Sequence, residues 1–224
     1  MLPLRDVIPS RTFPIVTVTL LALNTPALLF QEWLSPADRV DVAATFGLIP
    51  AAFKPWTPIT SLFVHRDPLQ FASNMLMLWL LGETLEDRLG RGRQIVFYVA
   101  CGMVAAAAQT WTYRGSFTPV VGASGAVAGI LGGYCRMFAR SRVLTLIPLP
   151  GAWQIRELPV LGLVAGWIVA QLVSDAIPLA AGIPAVEGSS PTSCMAAFLT
   201  GALLVRAFTR SERMRVEWWH DRSS

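Results

Sequence analysis

Residues 120–133 read VVGASGAVAGILGG, an apolar run with one hydroxyl, Ser124, set among glycine and alanine. Glycines at 122, 125, 129, 132 and 133 leave one side of the expected helix almost bare of side chains, so neighbouring helices can approach its backbone closely. Two uses fit such a string. Gly125, Gly129 and Gly133, at four-residue spacing, can form a packing face on which Ser124 is one more small residue. Alternatively, Ser124 is a nucleophile made accessible by the same bareness. The choice depends on the rest of the chain.

The 224-residue chain is 54% hydrophobic and 14% charged, which is wrong for a soluble globule and right for a multi-spanning membrane protein. A helix of about 17–25 apolar residues crosses a bilayer. Six such spans are expected, near 12–30, 68–85, 94–111, 120–138, 158–177 and 192–208, making an all-α bundle. The chain then divides into an N-terminus (1–11), a six-helix domain (12–208) and a basic tail (209–224). Basic residues collect in cytoplasmic loops, and with the N-terminus inside, fourteen of the eighteen fall in inner segments. Both termini are therefore expected to be cytoplasmic. The net charge of +4 is a topology signal, and no nucleic-acid partner is expected. Cys101, Cys135 and Cys194 lie in apolar runs without a framework of paired spacings, so no structural disulfide is expected. No metal-ligand spacing or phosphate-cradling loop appears, so neither a metal nor an organic cofactor is implied.

The long outer segment 31–64 carries Trp33, Phe46, Phe53 and Trp56, residues that suit a loop lying in the membrane interface. Gln70 and Asn74 share a helical face at the mouth of the second span. They are either an interhelical amide pair or part of a site. Glu83, Glu86, Asp87 and Arg88 read as a capped, solvated inner helix end. The segment 158–177 is bulky and apolar, and Cys194 opens the sixth span at a depth similar to that of Ser124. Charged residues lie at the ends of the spans, which argues against a small transporter or channel.

His65, Gln70 and Asn74, then GETLEDRLG at 82–90, GASGAVAG at 122–129 and AAFLTGALL at 196–204 resemble, in order and spacing, the rhomboid family of intramembrane serine proteases. The resemblance covers about 56–206 and implies the six-helix rhomboid bundle. It makes Ser124 the nucleophile, and Asn74, with Gln70 and the backbone N–H of Ser124, the oxyanion donors. Gln70 replaces a histidine usual in the family. At the position of the dyad histidine stands Cys194. A thiol with a pKa of about 8.5, higher in apolar surroundings, is a poor proton acceptor for a serine. His65 is the other candidate base, while His220 lies in the inner tail.

The resemblance therefore implies a catalytically impaired member, a pseudoprotease-like client binder similar to the iRhoms and derlins. The alternative is an active, divergent rhomboid serine protease with Ser124 as nucleophile and an unidentified base. Partners would be transmembrane segments of substrates or clients, within the lipid bilayer. The expected location is a cell membrane of the bacterial inner-membrane type.

Overall fold

The computed structural model describes residues 2–8, 10–149, 152–180 and 190–209. The chain is mostly helical. Helices α1 (Ile15–Trp33), α2 (Pro36–Phe46), α3 (Thr57–Thr60), α4 (Pro68–Leu89), α5 (Arg91–Thr112), α6 (Ser124–Phe138), α7 (Val160–Ala180) and α8 (Pro191–Phe208) follow in order. Among the described residues, α1, α5 and α8 are long and apolar enough to cross a membrane. Residues 181–189 and 210–224, which include His220, lie outside the described residues.

Helix α6 sits at the centre, buried from Ser124 to Tyr134. Its glycines explain how. A Cβ at Gly132 would stand 1.9 Å from the Phe198 carbonyl oxygen, and one at Gly201 would stand 2.0 Å from that of Gly129. On its other side, a Cβ at Gly129 would fall 2.2 Å from Cys101 Cβ. The backbone of α6 is thus in direct contact with α8 and fits against α5 with no space for a methyl group. Gly129 meets Ala197 and Gly201, and Gly133 meets Val205, so α6 and α8 run in the same direction. Gly129 and Gly133 of the packing face read from the glycine spacing make these contacts, together with Gly132.

Three expectations need correction. The bundle is not all-α: β1 (Leu2–Asp6), β2 (Arg142–Leu149) and β3 (Ala152–Pro159) form an antiparallel sheet in the order β1-β2-β3. It starts where α6 ends, and its alternation shows in Val143 and Thr145, which are buried beside exposed Arg142. The outer segment after α1 is not one irregular loop, because α2 and α3 occupy it; Ser35 caps α2 by accepting from the Asp38 N–H at 3.2 Å.

The end of α4 is also not solvated. Glu86, Asp87 and Arg88 are buried. The Glu86 carboxylate accepts from the N–H groups of Val16 and Thr17, at 3.0 and 2.8 Å, and from the Thr17 hydroxyl at 2.9 Å. These N–H groups belong to the first turn of α1, which has no partners within its own helix. A carboxylate there satisfies the orphan donors and meets the positive end of the helix dipole. Asp87 accepts from Thr12 at 2.9 Å, just upstream.

The packing account predicts opposite outcomes at two kinds of glycine. Gly132→Ala should cost about 1–3 kcal/mol by overpacking. Gly162→Ala, on α7 where nothing lies within 4 Å, should be neutral or stabilising by up to about 1 kcal/mol. Thermal unfolding in detergent compares them, and equal midpoints would refute the backbone contact between α6 and α8.

Candidate active site

Ser124 was expected about one turn inside the fourth span, but it is the first residue of α6. It is buried nonetheless, because the extended segment before it is buried too. Val120 pairs with Leu48 through two backbone hydrogen bonds, at 2.9 and 2.8 Å, and the Gly122 N–H donates to the Ser61 carbonyl at 2.9 Å. This short extended run carries the chain inward before the helix starts. Gly122 makes the turn with φ of +119°, and a Cβ there would meet Gln70 Nε2 at 2.7 Å. Glycine is required on both counts.

The position gives Ser124 two properties. Its Oγ is buried without a hydrogen-bond partner. It also stands at a helix N-terminus, where the first backbone N–H groups lack partners within the helix and the dipole is positive. Such donors are suited to stabilising a negative oxygen.

Helix α4 brings Gln70 and Asn74 to the same end of the bundle, one turn apart. Asp67 caps α4 by accepting from the Gln70 N–H at 2.8 Å. The Gln70 side chain braces the loop before Ser124: its Nε2 donates to the Val121 carbonyl at 3.3 Å and its Oε1 accepts from the Arg66 N–H at 3.0 Å. One of its amide hydrogens is thereby committed. Asn74 is fully buried. Its Oδ1 accepts from Gln171 Nε2 at 2.7 Å and from Trp167 Nε1 at 3.3 Å, both on α7, while its Nδ2 has no partner.

His65 precedes α4 and is held by its backbone. Gln31 of α1 donates to the His65 carbonyl at 2.9 Å and accepts from its N–H at 3.1 Å. The ring is buried edge-on against Phe71, with centroids 5.2 Å apart, and neither ring nitrogen is hydrogen-bonded. Burial lowers its pKa to about 4, opposed more weakly by the Phe63 backbone and the Asp67 carboxylate. The imidazole is therefore neutral at pH 7 and a weak base.

Cys194, in the first turn of α8, lines a cavity of about 210 Å³ together with Ala128, Val164, Trp167, Gln171 and Phe198. The shared direction of α6 and α8 and this common lining set Cys194 beside the first turns of α6. All three cysteines are thiols.

The rhomboid domain family model matches residues 52–211. The chain belongs to the rhomboid family. It is 27% identical to the presenilin-associated rhomboid-like protein A, mitochondrial, of Danio rerio, over 67% of this chain and 42% of that protein. It is 31% identical to rhomboid protein 1, mitochondrial, of Saccharomyces cerevisiae, over 42% of this chain and 29% of that protein. With the rhomboid protease GluP of Bacillus subtilis it shares 28% over 53% of this chain and 24% of that protein. The chain thus spans less than half the length of these relatives. The mitochondrial names of the first two, and of the mammalian relatives, overturn the expectation of a bacterial inner membrane.

The sequence reading missed Trp167 and Gln171. They were legible only as the continuation of Val160 and Val164 at spacings of three and four along α7, in a segment read as bulky and mostly apolar.

The buried His65 sets a pH dependence. Its folded-state pKa of about 4 lies below the ordinary 6.5, so the unfolded chain binds the proton more readily. The stabilisation is complete above pH 6.5 and is lost as pH falls towards 4, up to about 3 kcal/mol. His65→Phe should flatten thermal stability between pH 7 and 4.5, and an unchanged slope would place the titrating group elsewhere. Gly122→Ala should displace Gln70 and cost at least about 1–2 kcal/mol from the left-handed φ alone. A melting point equal to that of the native protein would contradict this.

Proposed function

We propose that this rhomboid-family membrane protein holds a site that is assembled for acyl chemistry but lacks the proton acceptor, and that it engages transmembrane segments of other membrane proteins without cutting them. Six membrane crossings by α1 and α4 to α8, in a domain of residues 12–208 with both termini on one side, are part of this reading. The parallel run of α6 and α8 supports it. So does the mostly exposed apolar surface of α7, where Leu161, Ile168, Val169, Leu172 and Val173 suit contact with lipid.

The observation that carries the reading is the pairing of a prepared serine with an unsuitable neighbour. Ser124 has a helix N-terminus and the unpartnered Asn74 amide at its end of the bundle, and the α8 position that the family resemblance pairs with it is a thiol, Cys194. A serine attacks a carbonyl only if a neighbour takes its proton and later returns one to the leaving amine. A thiol in apolar surroundings does neither well. His65 is a poor substitute, because burial makes it a weak base, its ring is packed on Phe71 and its backbone is fixed through Gln31. The mitochondrial names of the relatives support a mitochondrial membrane as the location.

The active alternative draws on the protease name of the Bacillus relative and on the retention of Ser124 and Asn74. It requires a base that is still to be identified, because the dyad position holds Cys194. Labelling with a fluorophosphonate serine probe separates the two readings. The native protein should stay unlabelled, Cys194→His should label, and Cys194→His with Ser124→Ala should not. Ser124-dependent labelling of the native protein would refute the impaired reading.

A further inference from the structure

The Asn74 amide has two ends, and only one is satisfied. Its Oδ1 accepts two hydrogen bonds from α7, from Gln171 at 2.7 Å and from Trp167 at 3.3 Å. Its Nδ2 is buried and has no partner. Asparagine oxygen and nitrogen are easily interchanged in a structure, but an indole N–H is a donor only. The end of Asn74 facing Trp167 must therefore be the acceptor, and the NH₂ must be turned away from α7. In the opposite orientation, two amide hydrogens would confront two donors.

Gln171 and Trp167 are four residues apart on α7 and so share one face, together with Val164 and Val160. This stripe is the buried side of an otherwise exposed helix. The two hydrogen bonds to Asn74 are thus made from the edge by which α7 holds to the bundle. An unsatisfied donor in an apolar interior is costly, and without these partners the amide would be free to rotate towards another acceptor.

We propose that Gln171 and Trp167 are positioning residues which lock the Asn74 amide with its NH₂ presented as a free donor at the Ser124 end of the bundle. The lock rests on the reading of that end as a site for a developing negative oxygen. Gln171→Glu tests it with little change of shape, because a carboxylate only accepts and would draw the Asn74 NH₂ towards α7.

The chain has two asparagines, Asn24 and Asn74, so asparagine-selective ¹⁵N labelling gives two side-chain amide signals. Asn74→Ala identifies the one that matters. In detergent micelles, Gln171→Glu should move the Asn74 signal and leave that of Asn24 in place, and Trp167→Phe should move it in part. In the Cys194→His background, Gln171→Glu should lower the rate of fluorophosphonate labelling at least tenfold, close to the loss in Asn74→Ala. An Asn74 signal unmoved by both substitutions would overturn the lock, even if Asn74→Ala lowers labelling. Labelling indifferent to Asn74→Ala, with the signal moved as expected, would instead overturn the oxyanion reading and with it the positioning role.

Discussion

The backbones of α6 and α8 meet at Gly129, Gly132, Phe198 and Gly201, where one added carbon would stand within about 2 Å of a carbonyl oxygen. Lipid tails are as apolar as leucine, so association inside a membrane depends on close packing more than on the hydrophobic effect. Small residues satisfy that requirement and also fix the register between the two helices. The register sets Cys194, in the first turn of α8, on a cavity that Ala128 of α6 also lines. Packing and the placement of the candidate site are therefore one constraint, and the first use considered for the glycine string, a packing face, is fulfilled.

Other parts of the chain serve this placement. The extended run at 120–122 pairs with Leu48 and Ser61 and so starts α6 inside the fold. Gly122 lets Gln70 lie against the turn. Glu86 ties α4 to α1 by capping the first turn of that helix, and Gln31 at the far end of α1 grips the backbone at His65. The α4 face that carries Gln70 and Asn74 is thus anchored at both ends. Against this preparation stands the identity of residue 194. In a serine protease, loss of the histidine alone lowers turnover by about a million-fold, equivalent to about 8 kcal/mol of transition-state stabilisation. On the proposed reading, a helix dipole and one amide do not replace that.

The sequence showed these features unequally, for physical reasons. The glycine face of α6 was legible because small residues at four-residue spacing have few other uses in an apolar helix. The helices around α4, α5 and α8 were placed to within a few residues for the same reason of composition. Glu86, Asp87 and Arg88 were misread because charge ordinarily signals water, whereas here the carboxylate meets the open end of another helix 69 or 70 residues earlier in the chain. The sheet escaped because β1 lies far from β2 and β3 in sequence, and its strands fell in segments read as an N-terminus and an inner loop. Ser124, Asn74 and Gln70 were legible from motifs as site candidates, but Trp167 and Gln171 were not. A lone glutamine in an apolar helix acquires meaning only when its partner on another helix is known.

The most direct test is cleavage in proteoliposomes, with a single-pass transmembrane substrate reconstituted beside the native protein and Cys194→His. The account predicts no product from the native protein and Ser124-dependent cleavage from Cys194→His. Cleavage by the native protein that disappears in Ser124→Ala would contradict it, because the serine would then have a base that the account denies.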